Sequence, residues 1–201
     1  MKKKSAKKTT APARRRNAAA TREAILDSAR QAFARAGYDG VGVREIAKGA
    51  GVTAMMVNRY FGSKERLFAE AIAKSMATSS VLTPIISGST ATGHDLAVAL
   101  ISITKKDAMP LEGFQIMLRS ASSERAAEIG REQIENHHQR LIAAALSGDW
   151  APQRAAVVLS LVAGFQIMRQ MIGISPLTEV DPKALVKILG PVFDQLIKGE
   201  Q

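Results

Sequence analysis

Val43-Arg44-Glu45-Ile46-Ala47-Lys48-Gly49-Ala50-Gly51-Val52-Thr53-Ala54-Met55-Met56-Val57-Asn58-Arg59-Tyr60-Phe61-Gly62-Ser63-Lys64 is the stretch that decides the fold. Its apolar residues recur at helical spacing, Val43, Ile46, Ala47 and Ala50 on a first short helix and Val57 and Phe61 on a second. Gly51-Val52-Thr53 parts the two. Gly51 permits a sharp turn, Val52 plugs the space between the helices, and Thr53 caps the second. Gly62-Ser63 breaks the chain again, and Ser63 is placed to cap a further helix carrying Leu67, Phe68, Ala71 and Ile72.

Upstream, Thr21 reads as an N-cap with Glu23 in the first turn, and Ile25, Ala29, Ala32, Phe33 and Ala36 form one face that stops at Gly37. Residues 1–20 hold eight Lys/Arg, no acidic residue and little that would build a core, so a disordered basic arm is expected. Downstream, no charged residue occurs between Ser75 and Gly93, and a seam is expected there. The remainder reads as helices near 94–106, 110–121, 124–147, 151–173 and 182–198, with Gly190-Pro191 expected to kink or interrupt the last. No strand alternation appears. The expected class is all-α: an N-terminal three-helix unit over 21–66 and a larger helical domain over 67–201.

The chain has 201 residues and a formal net charge of +10. Met1 to Arg66 carries 16 Lys/Arg against 5 Asp/Glu, and Leu67 to Gln201 carries 12 against 13, so the first third holds all the excess. That distribution fits a polyanion partner met by the first third alone, although a solubilising tail has the same charge. The absence of cysteine excludes disulfides, thiol catalysis and cysteine-ligated zinc. The basic N-terminus is followed by no apolar stretch, so no secretory signal is read. Ala155 to Ile174, interrupted by Ser160, Gln166, Arg169 and Gln170, reads as a buried helix and not a membrane span.

Two short helices joined by a tight turn suit a helix-turn-helix, whose second helix enters the major groove. Arg44, Thr53, Met55, Met56, Asn58, Arg59 and Tyr60 are the available side chains, while Ile46, Val57 and Phe61 belong to the core. Asn pairs bidentately with adenine, Arg with guanine, and Met offers apolar surface to a thymine methyl. Lys64 opposes the dipole of the helix it begins, a sign that a bound phosphate would reverse; pairing with a nearby carboxylate is the bland alternative. Arg14, Arg15 and Arg16 are expected to track the minor groove or flanking phosphates.

The run Ile25-Leu26-Asp27-Ser28-Ala29, Phe33, Ala36-Gly37-Tyr38, Val43-Arg44-Glu45-Ile46-Ala47, Ala50-Gly51-Val52-Thr53 and Tyr60-Phe61-Gly62-Ser63-Lys64-Glu65 resembles the N-terminal domain of the tetracycline-repressor (TetR) family. The resemblance covers about 50 residues. It implies contacts to the DNA backbone from Tyr60, Lys64 and Arg44. Two positions depart from the family pattern: Gly42 stands where Ser or Thr often caps the second helix, and Asn58 where a phosphate-binding Tyr is frequent.

The resemblance also implies that the last two helices pair with their counterparts in a two-fold four-helix bundle, so that two recognition helices face a palindromic operator. Val158, Leu161, Phe165, Leu185, Leu189 and Phe193 are the candidates for that interface. Phe114, Met117, Phe165, Gln166, Met168 and Arg169 are candidates for lining an apolar pocket with polar anchors, ordinary core packing being the other reading of each. Gly113-Phe114-Gln115-Ile116-Met117 recurs as Gly164-Phe165-Gln166-Ile167-Met168, too short an echo to make a repeat. Trp150, beside Ala151-Pro152, reads as a plug at a helix junction or the rim of a pocket. His137-His138 lack the i, i+4 spacing of paired helical metal ligands, so no metal is expected.

No phosphate loop, zinc-protease motif or nucleophile elbow occurs, so no catalytic residue and no cofactor is assigned. The expected function is a ligand-responsive repressor: a cytoplasmic bacterial homodimer that binds double-stranded DNA, is released by a small apolar or amphipathic effector, and has no membrane partner. The second reading, an architectural protein organising the nucleoid with the same fold, rests on the basic arm.

Overall fold

The computed structural model describes residues 11–77, 82, 85, 92–105 and 112–199, which contain helices and no strand. Residues 1–10 of the basic arm and the side chains of Arg14, Arg15 and Arg16 lie outside the described residues. Helix α1 (Ala11–Ala36) starts ten residues before the cap expected at Thr21. The run Ala18-Ala19-Ala20 has high helix propensity and nothing to halt it. Thr21 instead donates its hydroxyl back to the Asn17 carbonyl at 2.8 Å, as a mid-helix threonine does. Gly37, at φ +71°, ends the helix with its N–H on the Phe33 carbonyl.

Three helices follow: α2 (Val43–Gly49), α3 (Ala54–Phe61) and α4 (Lys64–Ala77). Gly51 takes the left-handed φ of +66° that the turn between α2 and α3 requires, and Val52 packs against the core. Ile46, Val57 and Phe61 are buried, and around them sit Ile25, Phe33, Leu67 and Phe68. Phe33 and Tyr38 both meet Phe68 edge-on, at ring-centroid separations of 5.0 and 4.9 Å.

Helices α5 (Gly93–Ile103) and α6 (Glu112–Ser120) come next, then α7 (Glu124–Gln133), which passes through a π-helical segment, Ile134–Gln139, into α8 (Arg140–Ala145). Helix α9 (Ala151–Gln166) likewise runs into a π segment, Ile167–Ile172, and the short α10 (Ser175–Thr178) leads to α11 (Pro182–Lys198). Pro191 does not interrupt α11. The lost N–H bond is offset by the close crossing of α11 with α5, where Gly190 lies against Gly93 and His94. Trp150 is no plug: its residue is 72 % exposed, and a positive φ of 59° turns it away from the junction it precedes.

Two apolar clusters organise these helices. One holds α1 to α4 and also takes in Ile116 of α6 and Ala126 and Ile129 of α7. The other gathers Leu96 and Leu100 of α5, Ile142, Val158 and Val162, and Phe193 of α11. The first cluster therefore ties the first four helices to the C-terminal half. At the closest point, a Cβ on Gly37 would lie 2.3 Å from the Arg119 carbonyl oxygen, and the Tyr38 N–H donates to Ser120 Oγ at 3.0 Å.

Candidate nucleic-acid interface and effector cavity

The turn between α2 and α3 is assembled by local chemistry. Gly42 occupies the N-cap of α2 in extended backbone (φ −97°, ψ 151°) and supplies no side-chain bond. Thr53 caps α3 by accepting the Met56 N–H at 3.4 Å, and Ser63 caps α4 by accepting the Arg66 N–H at 3.3 Å. Arg44, Thr53, Met55, Asn58 and Arg59 are exposed, whereas Met56, Tyr60 and Lys64 are half-buried. Met55 is 79 % exposed. A thioether side chain standing in water in the first turn of a recognition helix has nothing to gain there, and in a major groove it meets thymine methyl groups.

Among the described residues Lys64 pairs with no carboxylate. Its ammonium sits 4.2 Å from the centroid of the Tyr38 ring, a cation–π contact that offsets the unfavourable helix-dipole position and holds the cation beside the Ser63 cap. Burial, followed by the charge of the nearby Glu65, pushes the Tyr38 phenol above its usual range. Tyr38 thus positions Lys64 at the start of α4, a role the sequence alone did not suggest.

A cavity of about 350 Å³ opens between α4, α6, α9 and the two π segments, lined by Ser75, Met76, Phe114, Met117, Ile134, His138, Leu159, Val162, Gln166 and Ile167 among others. The wall is apolar. Gly130 leaves room for Met117, whose methyl would lie 2.2 Å from a Cβ there. Both copies of the Gly-Phe-Gln-Ile-Met pentapeptide contribute to it, through Gly113, Phe114 and Met117 from one and Gly164's neighbours Gln166 and Ile167 from the other. A wetter groove, with Arg131, Glu135, Gln139, Arg140 and Ser160, shares Met117, Ala121, Ile134, Leu159 and Ala163 with the cavity.

More than half of the chain, residues 91–197, matches the family description "Tetracyclin repressor-like, C-terminal domain", and residues 25–71 match "Bacterial regulatory proteins, tetR family". The chain belongs to the tetracycline-repressor family. It is a DNA-binding transcriptional regulator with a C-terminal ligand-binding domain, and regulators of this family are not enzymes. Solved structures agree in fold. A TetR-family regulator from Streptomyces coelicolor is 24 % identical, with 89 % of this chain and 95 % of that one covered at a TM-score of 0.58. GusR of Salmonella enterica is 20 % identical, with coverages of 88 % and 95 % and a TM-score of 0.65. FadR of Bacillus subtilis, solved with stearoyl-CoA, is 16 % identical, with coverages of 89 % and 99 % and a TM-score of 0.55. No curated protein matches the sequence.

In this TetR-family regulator Phe114, Met117 and Gln166 of the sequence-predicted pocket set lie together on the cavity wall, and Phe165, Met168 and Arg169 stand outside it. Arg169 is a buried brace: Nη1 donates to the Ile101 carbonyl and to Thr104 Oγ1, each at 3.0 Å, and Nε to the Leu177 carbonyl at 3.0 Å. Burial lowers its pKa from the ordinary guanidinium value. Phe165 packs into the second cluster and Met168 faces outward. Of the interface candidates, Val158, Leu185 and Phe193 are consumed by the chain's own core, while Leu161, Phe165 and Leu189 are partly buried beside it. On the same helices the outward apolar residues are Val157, Ile188 and Val192. His138 is the cavity residue that spacing did not reveal, since its burial depends on α4 and α9 closing over it. The signal available was a histidine set among the apolar positions of the segment that ends in Leu141 and Ile142.

Proposed function

We propose that this regulator binds a palindromic operator as a homodimer, acts as a repressor, and leaves the operator when a small apolar or amphipathic molecule enters the cavity. The observation that carries the reading is the path of α4. It begins at Lys64, immediately after the recognition helix α3, and ends with Ser75 and Met76 in the cavity wall. A ligand that bears on Met76 bears on the helix that seats the recognition helix, so occupancy and operator geometry are coupled through one rigid element. Arg44, Thr53, Met55, Met56, Asn58, Arg59, Tyr60 and Lys64 are the proposed DNA contacts, with Arg14, Arg15 and Arg16 along the flanking DNA.

Dimerisation is supported by the outer face of α9 and α11. Val157, Ile188 and Val192 are 46 %, 65 % and 41 % exposed, and Leu161 and Leu189 are only partly buried beside them. By length and composition the run Ala151–Ile172 is apolar enough to cross a membrane, and a second copy covers its outer face without one. The interface proposed therefore centres on Val157, Leu161, Ile188, Leu189 and Val192.

The test is selection of genomic fragments by the purified protein, then titration of the winning fragment and a scrambled control at two salt concentrations, with mass measured by light scattering. A palindrome bound by a dimer about 10³-fold or more over the control is the expected result. Equal, steeply salt-sensitive binding to both DNAs would replace this reading with the architectural one.

A further inference from the structure

Two residues that line the apolar cavity each carry a buried polar atom with no partner, His138 Nδ1 and Gln166 Nε2. Both residues are deeply buried, at 7 % and 3 % exposure. Buried polar groups in native proteins are nearly always satisfied, so an unsatisfied pair on one cavity wall calls for something that occupies the cavity. Each stands at a π-helical segment: His138 lies within Ile134–Gln139, and Gln166 directly precedes Ile167–Ile172. Wide turns of this kind re-aim side chains and recur at functional sites.

The chemistry of the two atoms is complementary. The Met76 backbone beside the His138 ring favours its proton, and with that proton on Nε2 the unpartnered Nδ1 is an acceptor. Burial first, and then the neighbouring His137, pushes its pKa below the ordinary imidazole value and keeps the ring neutral. Gln166 Nε2 is a donor. Among the described residues no Lys, Arg, Asp or Glu lines the cavity itself, so within it neither a carboxylate nor an ammonium group finds a counter-charge. We propose that the cavity is built for an uncharged, largely apolar molecule carrying a hydroxyl, whose O–H donates to His138 Nδ1 and whose oxygen accepts from Gln166 Nε2. A hydrocarbon that displaces water from these groups forfeits both bonds, whereas an alcohol replaces them. The volume of about 350 Å³ is at the small end of ligand sites, and the adjoining groove at Met117 and Leu159 gives an entry route.

This inference rests on the cavity being the effector site, and the experiment separates the two. Binding of 1-octanol, octane, octanoate and octylammonium to the full chain is measured by displacement of a fluorescent apolar probe. It is repeated with His138→Phe and Gln166→Met, which keep bulk and remove one polar partner each. 1-Octanol is expected to bind about tenfold or more tightly than octane, the two ions more weakly still, and each variant to erase about tenfold of the alcohol's preference. The 15N resonance of His138 Nδ1 in the unaltered protein moves upfield with 1-octanol and not with octane, a readout independent of how the variants fold. Equal binding of octane and 1-octanol, or an unmoved Nδ1 resonance, overturns the hydroxyl assignment and leaves the cavity as an apolar ligand site. If none of the four probes binds, the effector-site reading falls and the hydroxyl assignment falls with it.

Discussion

Arg30 on α1 grips Glu112 on α6 with two donors, Nε at 2.7 Å and Nη2 at 2.5 Å from the same carboxylate oxygen, and that oxygen also accepts the Ser75 hydroxyl of α4 at 2.8 Å. Three helices meet there. Arg30 belongs to the DNA-facing half, Glu112 to the C-terminal half, and Ser75 lines the cavity. Asp27 adds a second carboxylate to Arg30 at 3.1 Å.

Breaking that junction exposes its strength. Glu112→Gln leaves Arg30 half-served in a partly buried setting and is expected to cost about 1–3 kcal/mol in urea unfolding. Paired with Arg30→Met in a double-mutant cycle, it should show coupling of more than about 0.5 kcal/mol. Strict additivity would mean that the contact contributes nothing to holding the halves together.

The crossing of α5 and α11 tolerates no side chain at Gly93. A Cβ there would lie 2.2 Å from both the Asp194 amide nitrogen and the Gly190 carbonyl oxygen, and backbone cannot step aside as a side-chain tip can. The Gly93 N–H also donates to Asp194 Oδ1 at 2.9 Å, the main reason the Asp194 carboxyl is held below its ordinary value. Gly93→Ala is expected to destabilise by about 1–3 kcal/mol, read as a lowered urea midpoint at unchanged slope. A variant as stable as the parent would contradict the crossing.

At the DNA face, two classes of substitution should part company. Lys64→Met removes a cation proposed to meet a phosphate and is expected to weaken binding to every DNA alike, with the salt slope reduced by about one. Asn58→Ala and Met55→Ala should instead change the preferred operator sequence, by about 1–3 kcal/mol at one base pair each, and leave the salt slope alone. Operator titrations at three salt concentrations distinguish the two.

His138 gives stability a pH dependence of definite sign. Its folded pKa lies below the unfolded value of 6.5, so the unfolded chain takes up a proton that the buried ring refuses. Stability contributed by the neutral ring is intact above that value and falls as the pH drops through it, until the folded ring is itself protonated. Among the described residues lining the cavity His138 alone titrates in this range. His138→Gln should flatten the unfolding free energy between pH 7 and about 5.5 relative to the parent. Parallel curves would show that the imidazole is not buried in the neutral form.

The sequence by itself determined the class and the DNA-reading unit. Periods of apolar residues, Gly51, the caps Thr53 and Ser63, and the charge imbalance act within a few residues of one another, where local geometry decides the outcome. It also placed the C-terminal helices to within a few residues. Its misreading at Thr21 has a local cause: a cap signal is worth about a kilocalorie, and the helix propensity of Ala18-Ala19-Ala20 outweighs it. Tertiary structure alone decided the rest. Ile116, Ala126 and Ile129 join the core of the first four helices, Lys64 rests on Tyr38, Arg30 finds Glu112 across 82 residues, and Arg169 turns from the cavity to brace α5. His138 and Gln166 come to one wall only when α4, α6 and α9 close around them. Which buried polar atom finds a partner depends on three-dimensional contacts, and helical periodicity carries no record of those.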